Sequence, residues 1–184
     1  MRLHLVRHPR PIINATICYG SSDVAVASEE TERAARALVG RLPIGARLVS
    51  SPMRRCADLA HALAIDLSAT PIEFDQRLVE LDFGSWEMCP WDGIPREQID
   101  AWAAAPIQWR PGGGESVLQM ARRVREFYCA MQPHHGDCIV VCHAGTIRLL
   151  QACCAHRELA DIAAAAVQNI QSVAYAQIAV LAQK

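Results

Sequence analysis

Short apolar runs alternate along the chain with segments in which apolar residues recur every three or four positions. The runs predict strands at Leu3–Val6, Ala46–Ser50, Pro71–Phe74, Cys138–Cys142 and Val173–Val180. The helical spacing predicts helices over 29–42, 54–65, 115–131 and 145–155. Strands that alternate with helices predict an α/β fold, a three-layer αβα sandwich whose central sheet is mostly parallel.

Residues 81–114 interrupt this alternation. They contain several prolines and glycines and all four tryptophans, Trp86, Trp91, Trp102 and Trp109. We expect one domain over 1–184, from which residues 81–114 depart as a lid-like excursion above a site.

The composition excludes several classes of partner. With 18 Lys and Arg against 19 Asp and Glu, the net charge is −1, whereas nucleic acid and anionic membranes select basic surfaces. Residues 162–183 carry no charge, but polar residues interrupt them, namely Gln168, Asn169, Gln171, Ser172 and Gln177. We therefore expect a buried helix–turn–strand there rather than a membrane span.

The cysteines indicate a reducing environment. Eight are dispersed along the chain without a Cys-x-x-Cys pair, and the first residues have too short an apolar stretch for a signal peptide. We expect a cytoplasmic protein whose cysteines mostly behave as small apolar residues. A homodimer is possible on this sequence.

The segments that follow the first four predicted strands are rich in polar and charged residues. Their residues are Arg7 and His8 after the first strand, Ser51, Pro52 and Arg54 after the second, Glu80 after the third, and His143, Ala144, Gly145 and Thr146 after the fourth. Ligands of parallel sheets bind at the carboxyl ends of the strands, so we expect these groups to converge on one site.

The converging groups suit a phosphate ester. Arginine offers forked donors that match phosphate oxygens, and the predicted helix starts after Ser51 and His143 add backbone donors. A neutral imidazole can attack phosphorus, and Glu80 can protonate the leaving oxygen and later activate water. Arginine and histidine supply the positive charge, so the chemistry requires neither metal nor cofactor. The sequence contains no Walker lysine loop, so it does not indicate a nucleoside triphosphate as the ligand.

Five segments together resemble the histidine phosphatase superfamily, whose fold is phosphoglycerate-mutase-like. In chain order they are Leu5-Val6-Arg7-His8, Ser50-Ser51-Pro52-Met53-Arg54-Arg55-Cys56, Arg77-Leu78-Val79-Glu80-Leu81-Asp82-Phe83-Gly84-Ser85-Trp86-Glu87, Pro111-Gly112-Gly113-Gly114-Glu115-Ser116 and Val140-Val141-Cys142-His143-Ala144-Gly145. The resemblance implies that His8 is the phosphorylated nucleophile and Glu80 the proton donor. It implies that Arg7, Arg54 and His143 form the phosphate pocket. It also implies that Asn14, Tyr19, Gly20 and Ala144 line the phosphate or substrate site.

The segment Cys18-Tyr19-Gly20-Ser21-Ser22-Asp23-Val24 resembles the subgroup that hydrolyses α-ribazole 5'-phosphate in cobalamin synthesis. A broad-specificity phosphatase or a mutase-like enzyme of the same superfamily is the alternative. Pro9-Arg10-Pro11 departs from the family, which usually has glycine after the nucleophile. Proline lacks an N–H, so two backbone donors are lost, and this bears on the substrate more than on the reaction.

Other hypotheses stay open on the sequence alone. Cys142 to Arg148 fits the Cys-x5-Arg loop of cysteine-dependent phosphatases, in which a thiolate attacks phosphorus. The scaffold could also bind a phosphorylated ligand without turnover. His134, His135 and Cys138 fit no structural zinc spacing. Tyr19 and Trp86 either contact the leaving group or belong to the core of the excursion.

Overall fold

Five strands form a single sheet. The computed structural model describes residues 2–69, 71–134, 136–169 and 173–182. Its strands are β1 (Arg2–Arg7), β2 (Arg47–Ser50), β3 (Ile72–Phe74), β4 (Asp137–Cys142) and β5 (Ile178–Ala182). Their order is β3-β2-β4-β1-β5, and only the pairing of β5 with β1 is antiparallel. The predicted mostly parallel sheet is confirmed.

Helices cover both faces of the sheet. They are α1 (Ser28–Val39), α2 (Arg54–Leu67), α3 (Arg96–Ala104), α4 (Val117–Met131), α5 (Ala144–Ala155) and α6 (Leu159–Gln168). Alternate residues of each strand point to opposite faces. Ile139 and Val141 of β4 accordingly pack with α1 and α2, whereas Val140 and Cys142 pack with α4, α5 and α6. The three-layer αβα arrangement predicted from the sequence is therefore confirmed.

The carboxyl-terminal part of the chain differs from the prediction in where the strand starts. The predicted strand begins at Val173, but β5 begins at Ile178, because residues 173–177 turn across the end of β1. In the uncharged stretch 162–183, the structure has most of helix α6 and the whole of strand β5. Residues 170–172 and 183 of this stretch lie outside the described residues. No helix of the described ranges is long and apolar enough to cross a membrane.

The excursion at residues 81–114 has a small core of its own. Cys18, Trp86 and Ile94 are buried against one another, and the Trp86 indole donates to Gln98. Trp86 is thus part of the core of the excursion. Gly84 and Gly112 both have positive φ, and a Cβ on either would lie within 2.3 Å of the facing backbone, so this crossing requires glycine. That the excursion acts as a lid stays a prediction.

Candidate active site

His8 lies at the end of β1 with a defined tautomer. The side chain is only 3% exposed, and its Nδ1 lies 2.7 Å from the carbonyl oxygen of Pro9. A carbonyl only accepts, so Nδ1 carries the proton and the lone pair is on Nε2. Burial, and then the positive charge of Arg55, lowers the pKa of His8 to about 3. The ring is therefore neutral at physiological pH, with a free lone pair on Nε2.

His143 lies beside His8 and is oriented by two neighbours. The two ring centroids are 5.1 Å apart. Arg55 Nε donates to His143 Nδ1 at 3.2 Å, so the His143 proton is on Nε2, which is 2.9 Å from Ser51 Oγ. Complete burial, followed by the charge of Arg55, holds the pKa of His143 well below its ordinary value.

Arg55, and not Arg54, faces the two histidines. Arg54 is exposed, and its backbone N–H donates to the Asp23 carboxylate. Arg55 is 1% exposed and also donates to the carbonyl oxygen of Ser22. The structure does not bring Arg54, which was predicted to line the phosphate pocket, to the two histidines, because α2 begins at Arg54 and this first residue is exposed.

Arg7 is held by the segment that precedes β5. Its Nη1 donates to the Val173 carbonyl at 2.8 Å, and its guanidinium carbon lies 3.9 Å from the Tyr175 ring centroid. The buried Nε of Arg7 has no hydrogen-bond partner within the described part of the chain. This leaves an N–H donor for a ligand oxygen close to His8.

Tyr175 is a site residue that the sequence reasoning missed. Its ring centroid is 5.5 Å from that of His8, and its hydroxyl is 3.0 Å from the hydroxyl of Tyr19. Tyr19, which was predicted to line the site, contacts Tyr175 in this way, and its ring centroid lies 5.6 Å from the guanidinium carbon of Arg55. Arg10 also lies near this ring, with its guanidinium carbon 5.5 Å from the centroid.

Glu80 is positioned by the start of α5. Its Oε2 accepts from the backbone N–H of Gly145 at 2.9 Å, and its Oε1 accepts from that of Leu81 at 3.0 Å. A Cβ at Gly145 would lie 2.3 Å from Glu80 Oε1, so only glycine leaves room for this carboxylate. Arg123 fixes the backbone of the segment by donating to the carbonyls of Val79 and Glu80.

Glu87 organises the predicted Tyr19–Gly20 loop. Its carboxylate accepts from the backbone N–H groups of Gly20, Ser21, Ser22 and Phe83. Burial opposes ionisation, but the hydrogen bonds from Ser22 and these backbone groups hold the pKa of Glu87 below its usual value. In turn, the Gly20 carbonyl accepts from Arg55.

The remaining predicted residues lie on either side of this centre. Ala144 is the first residue of α5 and is half-buried next to His143. Asn14 is exposed, and its side-chain oxygen accepts from the backbone N–H of Thr16. The structure therefore brings Ala144 to the site but uses Asn14 to close a surface turn.

Cys142 lacks the surroundings of a thiolate nucleophile. It is fully buried, and burial raises the pKa of its thiol well above the ordinary value. Residues 144–155 form helix α5, whereas a Cys-x5-Arg loop would wrap its N–H groups around the phosphate. Among the described residues no cluster of His, Cys, Asp and Glu could hold a metal ion; His135 lies outside them.

Comparison with known proteins identifies the family. The model of the histidine phosphatase superfamily (branch 1) matches residues 3–177. The chain belongs to the histidine phosphatase superfamily. It is a phosphoric monoester hydrolase. The adenosylcobalamin/alpha-ribazole phosphatase of Salmonella typhimurium is 27% identical over 159 residues, which cover 82% of this chain and 77% of the relative. That of Escherichia coli is 27% identical over 161 residues, with the same shares covered.

Two solved phosphatase structures have the same fold as this chain. A mycobacterial glucosyl-3-phosphoglycerate phosphatase in complex with VO3 superposes with a TM-score of 0.80 at 25% identity, covering 98% of this chain and 92% of the other. The alpha-ribazole phosphatase from Shigella flexneri also gives 0.80, at 21% identity, and covers 98% and 89% of the two chains.

Proposed function

We propose that this histidine phosphatase hydrolyses a small phosphorylated metabolite through a phosphohistidine on Nε2 of His8. The hydrogen bond from His8 Nδ1 to Pro9 carries the proposal, because it puts the nucleophilic lone pair on the other ring nitrogen. Proline at position 9 removes an N–H donor but keeps the carbonyl that this tautomer needs.

In the first step, Nε2 of His8 attacks phosphorus, and the bond between phosphorus and the ester oxygen breaks. Arg7, Arg55 and His143 stabilise the charge on the equatorial phosphoryl oxygens. Protonated Glu80 donates its proton to the departing alkoxide, so the alcohol leaves neutral. The neutral state of His8 supports this step, since a protonated ring has no lone pair to donate.

In the second step, water attacks phosphorus and the bond to Nε2 breaks. The Glu80 carboxylate formed in the first step takes the proton of the water, so it is restored to its acid form. His8 returns to its starting tautomer, and inorganic phosphate leaves. The backbone N–H of Gly145 holds the carboxylate in one position through both steps.

The preferred substrate is α-ribazole 5'-phosphate, which would give α-ribazole. Two relatives named for this activity match four fifths of the chain, and the Cys18–Val24 segment resembles the same subgroup. The second candidate is a broad-specificity phosphatase. It is supported by similar proteins that are named for more than one substrate, among them alpha-ribazole phosphate and glucosyl-3-phosphoglycerate. The cytoplasmic location and the homodimer stay predictions, as does activity without a cofactor.

A substrate panel tests this proposal. kcat/KM is measured for α-ribazole 5'-phosphate, glucosyl-3-phosphoglycerate, phosphoserine and 3-phosphoglycerate, with wild type and His8→Ala. We expect α-ribazole 5'-phosphate to be the best of the four by at least about tenfold, with turnover lost in His8→Ala. Equal rates on all four would favour the broad-specificity enzyme, and turnover by His8→Ala would contradict the phosphohistidine.

A further inference from the structure

Two cavities flank Glu80, and each could receive the group that leaves with the ester oxygen. One has a volume of about 390 Å³ and is lined largely by charged and polar side chains. The other has a volume of about 400 Å³ and is lined by Phe83, Trp102, Val117, Met120, Val167 and Arg148. Both volumes suit a small organic group. The two cavities differ in which polar groups are still available to a ligand.

Arg123, Glu115, Arg110 and Asp82, charged groups of the polar cavity, already have hydrogen-bond partners within the protein. Arg123 is paired with Glu115 and donates to backbone carbonyls, and Arg110 donates to the carbonyls of Gly113 and Gly114. Asp82 accepts from the Gly84 N–H and from Ser21. A ligand entering this cavity would have to replace protein hydrogen bonds, which costs free energy.

The apolar cavity offers flat surfaces and one uncommitted cation. The Phe83 and Trp102 rings meet edge to face at 5.9 Å between centroids. Arg148, from the second turn of α5, has a buried Nε without a hydrogen-bond partner among the described residues. A buried guanidinium N–H that lacks an acceptor is costly, so an acceptor or anion on a ligand would be bound favourably there.

This cavity is also continuous with the reacting groups. Glu80 and Gly145 form one side of it, and Tyr19 forms another. The Tyr19 hydroxyl is 3.0 Å from that of Tyr175, whose ring lies against His8. A phosphoryl group on His8 and an alcohol protonated by Glu80 would therefore place the rest of the substrate at this opening.

We propose that the apolar cavity is the leaving-group subsite, that it selects alcohols carrying a flat aromatic group, and that Arg148 recognises an acceptor or anion on that group. The inference rests on the proposed phosphatase mechanism and adds the chemical class of the alcohol. Phe83 and Trp102 supply apolar surface for the ring, and Arg148 is a specificity-determining residue of the same cavity.

Three primary-alkyl phosphates of similar leaving-group reactivity test the subsite: ethyl, phenethyl and para-carboxyphenethyl phosphate. We expect kcat/KM to rise by at least about tenfold from ethyl to phenethyl, because the ring leaves water for an apolar surface. We expect a further rise of about tenfold for the carboxylate, which pairs with Arg148.

Two variants assign these gains to the cavity. Val167→Phe fills part of the cavity. It should lower the ratio of kcat/KM for phenethyl to ethyl phosphate at least fivefold, because less apolar surface is then left for the ring of the substrate. Val39→Phe, on the half-buried face of α1, is the matched control and should keep the ratio. Arg148→Met should remove only the carboxylate gain, whereas Arg122→Met, an exposed arginine of α4, should keep it. If Val167→Phe does not fold, Val167→Leu replaces it.

The subsite is overturned if wild type does not prefer phenethyl to ethyl phosphate, or if Val167→Phe and Val39→Phe give the same ratio. The role of Arg148 is overturned if Arg148→Met keeps the carboxylate gain. These outcomes are separate from the failure of the proposed function. Hydrolysis of ethyl phosphate that is lost in His8→Ala supports the phosphohistidine mechanism whether or not the cavity selects aromatic alcohols.

Discussion

The carboxylate of Glu80 accepts a hydrogen bond from the backbone N–H of Gly145, two residues after His143. The start of α5 therefore positions the proposed acid, Glu80, and the proposed phosphate-binding imidazole, His143, at the same time. Because the fit depends on the missing side chain of Gly145, the acid can be displaced by one methyl group.

Gly145→Ala should reduce turnover at least about tenfold, because the added Cβ would push the Glu80 carboxylate from its position. Gly40→Ala is the matched control, since a Cβ at Gly40 meets no atom within 4 Å. Steady-state kcat on an alkyl phosphate, with thermal unfolding to confirm the fold, is the measurement. Wild-type kcat in Gly145→Ala would contradict the assigned position of the acid.

Adjacent arginines should behave in opposite ways. Arg55→Met should lower kcat/KM by about 10²–10³-fold, since a buried donor to the transferring phosphoryl group is lost. Arg54→Met should have nearly wild-type activity, because its side chain is exposed. Arg55 also lowers the pKa of His8, so Arg55→Met should move the acidic limb of kcat/KM to higher pH. Equal losses in both variants would argue against this assignment.

The two buried histidines should make the fold sensitive to acid. In the unfolded chain His8 takes up a proton as pH falls through about 6.5, whereas in the folded chain its pKa is lowered to about 3. Between these values the unfolded state binds more protons, so the free energy of unfolding falls as pH falls. His143, whose pKa is also lowered, acts in the same direction.

Urea unfolding at pH 7 and pH 5 measures this effect. From pH 7 to pH 5, the free energy of unfolding of His8→Asn should fall by about 2 kcal/mol less than that of wild type, because the proton that His8 takes up on unfolding is absent in this variant. In the control His61→Asn, at an exposed position of α2, the free energy of unfolding should fall by as much as in wild type. An identical pH dependence in His8→Asn and wild type would show that His8 is not held neutral by the fold.

A pair of variants distinguishes imidazole from thiolate chemistry. His8→Ala should abolish turnover, whereas Cys142→Ser should retain it, because the Cys142 thiol is buried and its pKa is raised. Glu80→Gln should slow turnover by about 10²–10⁴-fold, the usual share of general acid–base catalysis. Loss of activity in a folded Cys142→Ser variant would instead support a mechanism in which the Cys142 thiolate attacks phosphorus.

The sequence predicted the sheet well because its strands are buried runs that local pattern reveals. The spacing of apolar residues in α2 also indicates which of the two arginines, Arg54 or Arg55, is buried. Arg55 stands four residues before Leu59, which stands four before Leu63, and all three side chains are buried. Arg54 stands on the opposite side with Asp58 and Ile65, which are exposed. The helical period, applied to α2 from its first residue, would have selected Arg55.

Other parts of the site could not be predicted from local pattern. Tyr175 reaches His8 because residues 173–177 turn across β1 before β5 begins, and this depends on contacts between distant segments. The mostly apolar stretch 173–180 is compatible with a strand throughout. Its strand starts only at Ile178 because the residues before it turn, with the Ala176 N–H donating to the Arg7 carbonyl. The pairing of Glu87 with the Gly20 loop is likewise non-local.

The most direct measurement is to trap the intermediate. Enzyme mixed with excess alkyl phosphate is quenched in alkali within one turnover, digested, and analysed by mass spectrometry for phosphate bonded to histidine. The account predicts acid-labile phosphate on His8, with none on Cys142 and none in His8→Ala. Steady turnover with no phosphate on His8 at any quench time would contradict it.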